Sequence, residues 1–360
     1  MRNYTILIKP ASSLCNMKCE YCFYEDVSNN RKIKSYGLMQ EETLEKIIAS
    51  SLEYNRGSLN FVFQGGEPTL VGIDFYKKVI EFQKKHNNHF VKIYNSIQTN
   101  GYSLDEEFII FLKENNFLVG ISYDGINEIH DKYRIDKDNN PTSNQIQKTI
   151  SLLTKHQVEF NILCVVTQEI MDNVESVFEN LKKYKYLQFV PKISDFNSTN
   201  QALDNVEYGN FLIKLFKLYA KQILNNEYIS IRDFDNYIVS ILGYQNYSCS
   251  AIGRCGGYVV FEANGNAYPC DFYMLDQYYL GNINEQSIDK LIRSEVNHEF
   301  NKESLILNKE CFNCQYHRLC NGGCRRLRKE PRGISFYCEA YKLFFSECLE
   351  DMKKLSLLIQ

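Results

Sequence analysis

The sequence has little of what marks disordered, fibrous, exported or membrane proteins. With 18 glycines and 6 prolines in 360 residues, it is neither collagen-like nor of low complexity. Its 41 Lys and Arg nearly balance 44 Asp and Glu, so no overall field recruits nucleic acid or an anionic membrane. No apolar run approaches the roughly 18 residues of a membrane span, and the run before Lys9 is too short for a signal peptide. We therefore expect a cytoplasmic protein with no nucleic-acid or membrane partner.

Length and composition indicate an ordinary globular chain. Apolar residues make up 44% and charged residues 24% of the sequence, both near the average for globular proteins. At about 150 residues per domain, the length corresponds to two domains or to one large barrel with an appendage.

Up to about Asn200, short β-branched runs alternate with amphipathic stretches. The predicted strands are Tyr4–Lys9, Leu59–Gln64, Val91–Thr99, Phe117–Tyr123, Glu159–Val166 and Tyr186–Val190. The predicted helices are Gln40–Tyr54, Asp74–Asn87, Asp105–Asn115, Ser143–His156 and Asp172–Tyr184. Six βα units in series favour a parallel sheet covered by helices, either an open barrel or a doubly wound sheet.

Polar residues follow three of these strands, at residues 64–68, 95–101 and 122–125. In parallel sheets covered by helices, ligands bind at the carboxyl ends of the strands. These segments therefore predict the position of a binding site.

The second half of the chain has a different pattern. A helical pattern over Val206–Asn226 precedes a cysteine-rich region with a predicted hairpin, Tyr258–Glu262 and Ala267–Pro269, around a turn at Gly265. We expect a second domain that begins near 200–245 and draws part of its stability from bound metal, since its apolar content is modest.

Thirteen cysteines in a chain without export signals point to metal ligands. Cys15, Cys19 and Cys22 lie close together after the first predicted strand. Three thiolates can hold three corners of a four-iron cluster and leave the fourth iron open to a small molecule. Zinc is the alternative, but a structural zinc site needs four ligands, and the next cysteine is Cys164.

The spacing Cys-x3-Cys-x2-Cys, with Tyr21 just before the last cysteine, resembles the signature of radical S-adenosylmethionine enzymes, and residues 65–68 match the GGEP motif of that family. The resemblance implies a partial (β/α)6 barrel and S-adenosylmethionine as cofactor. The cofactor-binding residues that it implies are Tyr21, Gly65, Gly66, Glu67, Ser122, Arg134 and Ile193. Backbone at the GGEP glycines would contact the methionine amino group, Ser122 and Arg134 its carboxylate, and Ile193 the adenine.

The later cysteines resemble the SPASM domain, a domain with auxiliary iron–sulfur clusters that follows some radical S-adenosylmethionine barrels. By that resemblance the first auxiliary four-iron cluster takes Cys249, Cys255, Cys270 and Cys324, and the second takes Cys311, Cys314, Cys320 and Cys338. Of the other cysteines, Cys164 is predicted to be a core thiol and Cys348 to be inert. The basic run Arg325, Arg326, Arg328 and Lys329 is interpreted as a solvated face or a rim around a peptide.

The implied domain order is a barrel over 1–200, a helical linker over 201–245, the SPASM domain over 246–345 with a β-hairpin and helices, and a C-terminal helix over 346–360.

Within this group the chain resembles the anaerobic sulfatase-maturating enzymes over nearly its whole length. The segments that carry this resemblance include 8–13, 22–24, 63–70, 94–101, 160–166 and 268–273. The resemblance implies oxidation of a Cys or Ser of a sulfatase to Cα-formylglycine, with a 5′-deoxyadenosyl radical removing a β-hydrogen. The auxiliary clusters would accept the second electron, and an external donor such as flavodoxin or ferredoxin would reduce the first cluster.

Asp271, which follows cluster ligand Cys270, matches the proton acceptor of the family. The alternative is a carboxylate that caps nearby amides. The residues predicted to contact substrate or cofactor at the barrel mouth are Tyr24, Gln64, Asn95 and Gln98.

Two other functions remain open from the sequence. One is a SPASM-type maturase that forms a thioether or carbon–carbon crosslink in a ribosomal peptide, since Val190–Asn200 and the region around Asp204 depart most from the sulfatase-maturating pattern. The other is a non-catalytic iron–sulfur electron carrier, although a carrier does not need an open iron beside a GGEP motif.

Overall fold

The computed structural model describes residues 4–198, 202–246, 248–329 and 333–358. It divides into two compact units, each built from separate stretches of chain. The first unit comprises Met1–Ser122, Asp131–Phe160 and Gly256–Phe300, and the second comprises Tyr123–His130, Asn161–Cys255 and Asn301–Gln360. These discontinuous units do not test the predicted domain boundaries, which stay predictions. Residues 199–201, where the first boundary was placed and where the segment Val190–Asn200 ends, lie outside the described residues.

The strands among the described residues are β1 Tyr4–Ile8, β2 Met17–Cys19, β3 Ser58–Phe63, β4 Lys92–Thr99, β5 Phe117–Ser122, β6 Arg134–Asp136, β7 Phe160–Val166, β8 Tyr186–Pro191, β9 Ser230–Ile231, β10 Tyr258–Phe261, β11 Asn266–Tyr268 and β12 Gly281–Asn282.

The α-helices among the described residues are α1 Phe23–Asn29, α2 Glu41–Tyr54, α3 Ile73–His86, α4 Glu106–Glu114, α5 Asn127–Tyr133, α6 Ser143–Lys155, α7 Gln168–Asp172, α8 Val174–Leu181, α9 Asn205–Leu224, α10 Arg232–Ile241, α11 Cys249–Ile252, α12 Ile288–Ile292, α13 Glu295–Ser304, α14 Lys309–Phe312, α15 His317–Cys320 and α16 Cys338–Leu358.

The main sheet of the first unit has the strand order β12-β11-β10-β1-β3-β4-β5. Strands β10, β1, β3, β4 and β5 run parallel, and the hairpin β10–β11 is antiparallel. The parallel α/β sheet and the hairpin confirm the sequence-based predictions. The pairing of β10 with β1, which adds the hairpin to the edge of the parallel sheet, was not predicted.

Alternation of side chains explains how this sheet meets its helices. In β3, Leu59, Phe61 and Phe63 are almost fully buried and the residues between them are half-buried. Helix α2 presents Ile47 and Ile48, both fully buried, from its apolar stripe. The resulting core fixes the carboxyl ends of β1, β3 and β4 at one edge of the sheet.

The second unit contains the parallel strands β7, β8 and β9 and the long helices α9 and α16. Phe216 of α9, Phe234 of α10 and Phe344 of α16 form an aromatic cluster with ring centroids 5.3–5.9 Å apart. Asp204, in a region that could have contacted substrate, caps α9 by accepting hydrogen bonds from the backbone of Val206 and Glu207.

Three local features differ from the predictions. The stretch predicted as one helix over Asp172–Tyr184 is divided at Asn173 into the end of α7 and α8, and it finishes as a 3₁₀ turn. The short antiparallel pair β2–β6 was not predicted, because three-residue strands carry no periodic signal. Helix α16 begins at Cys338, so the predicted C-terminal helix covers only its later part. Among the described residues, no helix is long and apolar enough to cross a membrane.

Candidate active site and cluster ligands

Three predicted site residues come together in the first unit, where β1 and β3 end. The Tyr24 hydroxyl donates to Asp271 Oδ2 at 3.2 Å, and Gln64 Nε2 donates to Tyr24 Oη at 2.7 Å. Gln64 Nε2 also lies 3.5 Å from Asp271 Oδ2. Helix α1 supplies Tyr24, the end of β3 supplies Gln64, and the turn after β11 supplies Asp271. Residues that are distant in sequence thus form one hydrogen-bonded group around a carboxylate.

The surroundings of this group affect its acid–base properties. Burial raises the pKa of Asp271, although hydrogen bonds from the Cys270 thiol and Tyr24 oppose that rise. Burial and the charge of Asp271 raise the pKa of Tyr24 well above its ordinary value. Tyr24 therefore stays a neutral donor, and Asp271 is a stronger base than an exposed carboxylate. The Asp271 carboxylate is contacted by Tyr24, Gln64 and the Cys270 sulfur, and its role as the proton acceptor stays a prediction.

A buried ion cluster lies next to this group. Lys9 Nζ and Arg31 Nη1 lie 3.0 and 2.6 Å from Glu262 Oε1, and all three side chains are at most 1% exposed. Burial would raise the pKa of Glu262, but the charges of Lys9 and Arg31 outweigh it and hold this pKa at about 2. The Lys9 ammonium lies 4.8 Å from the centre of the Tyr24 ring. Sequence analysis missed this cluster; the one signal was a lysine directly after the apolar strand β1.

Close contacts and backbone conformation require glycine at both glycine positions of the GGEP segment. A Cβ on Gly65 would lie 2.3–2.7 Å from the Lys9 side chain, and one on Gly66 would lie 2.2 Å from the Leu14 carbonyl oxygen. Both residues also have positive φ, 98° and 55°, a region that glycine adopts without strain. Gly65 therefore makes room for the buried lysine, and Gly66 lets the loop before Cys15 approach.

The side chain of Glu67 is directed into the protein. Its carboxylate is fully buried and accepts hydrogen bonds from the hydroxyls of Thr69 and Thr99 and from the backbone of Thr69 and Asn100, at 2.7–3.0 Å. Its own N–H donates to the Leu14 carbonyl at 2.8 Å. The carboxylate and N–H of Glu67 are thus occupied by the protein, and the contact of this backbone segment with the cofactor stays a prediction.

The three clustered cysteines occupy one loop of the first unit. Cys15 follows β1, Cys19 ends β2, and Cys22 precedes α1. The Cys15 sulfur accepts hydrogen bonds from Met17 N at 3.4 Å and Asn100 Nδ2 at 3.7 Å, and Arg134 Nη1 lies 3.8 Å from the Cys19 sulfur. Donors that converge on sulfur suit thiolates bound to iron, so the residues fit a cluster.

Other predicted cofactor residues lie close to these cysteines or to one another. The Arg134 guanidinium lies 5.1 Å from the centre of the Tyr21 ring, and this ring lies 5.4 Å from that of Tyr133. Gln98 Nε2 donates to Ser122 Oγ at 3.3 Å, across neighbouring strands. These placements keep Tyr21, Arg134 and Ser122 as predicted cofactor contacts.

Asn95 does not join the site. Its side-chain amide forms two hydrogen bonds with Gln83 of α3, at 2.7 and 3.0 Å, and it is buried. Successive side chains of a strand point to opposite faces, and Asn95 lies on the face of β4 that meets this helix. Its prediction as a substrate contact is therefore wrong.

The second unit brings together the four cysteines predicted to bind the second auxiliary cluster. Cys311, Cys314, Cys320 and Cys338 line one pocket together with His317 and Lys342. Cys320 also lines a neighbouring pocket with Cys324. Shared lining of one cavity by four thiols fits a four-iron cluster whose irons all have protein ligands.

The remaining predicted residues are placed separately. Cys249 begins α11 and Cys255 follows it in the second unit, while Cys270 belongs to the first unit, so the ligand set of the first auxiliary cluster stays a prediction. Ile193 lies half-buried after β8 in the second unit. Cys164 and Cys348 are each 1% exposed, which confirms the prediction of a core thiol for Cys164.

The arginines of the basic run do not form the solvated face that was one of the two predictions, whereas Lys329 is exposed; a rim around a peptide stays a prediction. Arg325, Arg326 and Arg328 are 5–9% exposed. Arg328 donates to backbone carbonyls of Gly253, Ser304, Ile306, Gly322 and Gly323. A guanidinium carries five donors, so it can satisfy several loop carbonyls at once. These arginines hold the loops of the second unit together.

Comparison with known proteins agrees with these sites. Residues 10–181 match the family model of the radical SAM superfamily, and residues 249–315 match that of the iron–sulfur cluster-binding SPASM domain. A cysteine-type anaerobic sulfatase-maturating enzyme of Clostridium novyi is 42% identical, over 98% of this chain and 97% of the relative. The chain belongs to the anaerobic sulfatase-maturating enzymes.

Other members of the family extend the comparison. A serine-type anaerobic sulfatase-maturating enzyme of Bacteroides thetaiotaomicron is 32% identical, over 97% of this chain and 91% of the relative. The solved structure of native anSMEcpe with bound AdoMet and Kp18Cys peptide is 41% identical, with a TM-score of 0.93 over 98% of this chain and 99% of that chain. The predicted fold is thus confirmed: the chain is a radical S-adenosylmethionine enzyme with S-adenosylmethionine and four-iron clusters as cofactors.

Proposed function

We propose that this enzyme oxidises a cysteine side chain of a sulfatase polypeptide to Cα-formylglycine. The observation that carries the proposal is the group formed by Tyr24, Gln64 and Asp271, a half-buried carboxylate held by two neutral donors where the strands end. Membership of the sulfatase-maturating family supports the substrate class. Identity of 42% to the cysteine-type relative, against 32% to the serine-type one, supports cysteine as the target.

The reaction removes two electrons and two protons from the cysteine side chain. When bound, the first cluster and S-adenosylmethionine supply a 5′-deoxyadenosyl radical that takes one hydrogen atom from the β-carbon. Asp271 accepts the thiol proton at its carboxylate, and Tyr24 and Gln64 keep that carboxylate oriented. One electron must still leave as the carbon–sulfur double bond forms, and we assign it to the auxiliary clusters. Water then replaces sulfur, which gives the aldehyde and hydrogen sulfide.

The proposed residue roles keep the ligand and contact sets that the sequence predicts, apart from Asn95. The first cluster is bound by Cys15, Cys19 and Cys22, and the auxiliary clusters by the eight cysteines of the SPASM pattern. The residues that contact S-adenosylmethionine are Tyr21, Gly65, Gly66, Glu67, Ser122, Arg134 and Ile193, and those that line the substrate site are Tyr24, Gln64 and Gln98. A small redox protein such as flavodoxin or ferredoxin supplies the electron for the first cluster, and the enzyme acts in the cytoplasm.

A peptide assay tests the proposal. Reduced enzyme is incubated anaerobically with S-adenosylmethionine and a Cys-x-Pro-x-Arg peptide, with the matching Ser-x-Pro-x-Arg peptide as comparison. We expect an aldehyde and released sulfide from the cysteine peptide, formed faster than aldehyde from the serine peptide. A crosslinked product that retains sulfur would contradict sulfatase maturation, and equal rates for the two peptides would contradict the choice of cysteine.

A further inference from the structure

The side chain of Asn100, just after β4, lies against the first cluster ligand. Its Nδ2 is 3.7 Å from the Cys15 sulfur and 2.8 Å from Asn16 Oδ1. Asn100 is 8% exposed, so water does not readily replace these contacts. A primary amide has two hydrogens on nitrogen, and here one serves Asn16 while the other points to sulfur.

A backbone N–H group fixes the orientation of the Asn100 side-chain amide, because such a group can only donate a hydrogen bond. Asn100 Oδ1 accepts a hydrogen bond from the backbone N–H of Tyr102 at 2.9 Å. If the amide were flipped, its NH₂ group would face that N–H, and two donors would oppose each other. The nitrogen of Asn100 must therefore be the atom that faces Cys15.

The backbone of Asn100 is held by the buried carboxylate of Glu67. The Asn100 N–H donates to Glu67 Oε2 at 2.8 Å, while the Glu67 N–H donates to the carbonyl of Leu14, the residue before Cys15. Glu67 thus joins the cysteine loop to the end of β4. This explains why a carboxylate in the GGEP segment is directed into the protein.

We propose that Asn100 is a positioning residue for the first cluster and that its N–H···S bond to Cys15 raises the reduction potential of that cluster. Reduction adds negative charge to the iron and its sulfur ligands, and a hydrogen bond to sulfur stabilises the more negative state. The step that this bond favours is the one-electron reduction that must precede cleavage of S-adenosylmethionine. The inference rests on the proposed role of Cys15 as a ligand.

Redox titration of the anaerobic holoenzyme, followed by electron paramagnetic resonance, tests this inference. The first cluster is identified as the centre whose signal changes when S-adenosylmethionine is added. In Asn100→Leu we expect its one-electron reduction to become about tenfold less favourable, which corresponds to a midpoint about 59 mV lower. Asn100→Asp keeps the acceptor for Tyr102 but removes the donor and adds negative charge, so we expect a larger decrease.

Ser103→Ala is the matched control, because Ser103 accepts from Asn16 at 2.6 Å and does not donate to Cys15. We expect the wild-type midpoint in this variant. An unchanged midpoint in Asn100→Asp, with full iron content, would overturn the inference even if Asn100→Leu failed to fold. A wild-type enzyme without any signal that responds to S-adenosylmethionine would overturn the ligand assignment, and with it this inference.

Discussion

The two units handle buried charge in different ways. In the first unit, Glu262 binds two cations, and Asp271 is held by neutral donors from Tyr24 and Gln64. In the second unit, the cysteines around the pocket are half-buried. Cys311 and Cys320 lie on helices of one turn, while Arg328 donates to backbone carbonyls of the surrounding loops. The first site is organised by its own side chains, whereas a helix of four residues is not stable alone. We therefore expect the second region to depend on a bound cluster for its order.

The variant Asp271→Asn gives the largest expected effect at the site formed by Tyr24, Gln64 and Asp271. An amide of the same size keeps the contacts with Tyr24 and Gln64 but cannot accept the thiol proton. We expect aldehyde formation to fall by about 10²–10⁴-fold, while deoxyadenosine still forms. Both products are measured by chromatography and mass spectrometry.

Asp289→Asn serves as the control, because the side chain of Asp289 is 44% exposed and pairs with Arg293, the residue after α12, at 2.8 Å. We expect this variant to retain the wild-type rate. An Asp271→Asn enzyme that forms aldehyde as fast as the control would remove Asp271 from the chemistry.

Removal of iron should lower the local stability of the second unit more than that of the first. Because α14 and α15 have four residues each, we expect chelation to lower amide hydrogen-exchange protection over 309–320 by about 100-fold, or about 2.7 kcal/mol of local stability. The strands β1 and β3 should keep most of their protection, since their core is apolar. Equal loss in both places would show that the first unit also depends on metal for its order.

The buried ion cluster gives an effect of similar size, on the stability of the whole protein. Lys9→Met keeps most of the side-chain volume beside Gly65 but leaves Glu262 with Arg31 alone. We expect the free energy of unfolding to fall by about 3 kcal/mol, since removal of one partner from a buried ion pair is costly. The midpoint of urea unfolding of the anaerobic holoenzyme measures this.

Lys77→Met is the matched control, because Lys77 is half-exposed and pairs with Asp74 at 2.9 Å on the surface of α3. We expect a change of at most about 0.5 kcal/mol there. If the free energy of unfolding fell equally in the two lysine variants, the buried ion cluster would stabilise the protein no more than a surface ion pair does.

The sequence predicted most strands and helices of the first unit because their apolar residues follow a clear period, as Leu59, Phe61 and Phe63 do in β3. The spacing of Cys15, Cys19 and Cys22 predicted one ligand group, because a short loop places neighbouring ligands together. These features are encoded within short stretches of chain. The two auxiliary ligand sets and Asp271 were predicted instead from the resemblance to the family.

Features that depend on distant residues could not be read in this way. Glu262 is separated from Arg31 by 231 positions and from Lys9 by 253, and no local pattern links them. Asn95 was placed at the site because it follows a strand core, but the direction of its side chain depends on strand register and on Gln83. The charges of Arg325 and Arg328 suggested a solvated face, because a sequence does not show which carbonyls a guanidinium will satisfy.

The most direct measurement of the central claim follows the β-hydrogen of the target cysteine. A Cys-x-Pro-x-Arg peptide deuterated at that carbon is incubated with the reduced enzyme and S-adenosylmethionine. The account predicts that deuterium enters 5′-deoxyadenosine as aldehyde and sulfide appear in equal amounts. Deoxyadenosine without deuterium, or deuterium transfer that leaves sulfur bonded to the peptide, would contradict it.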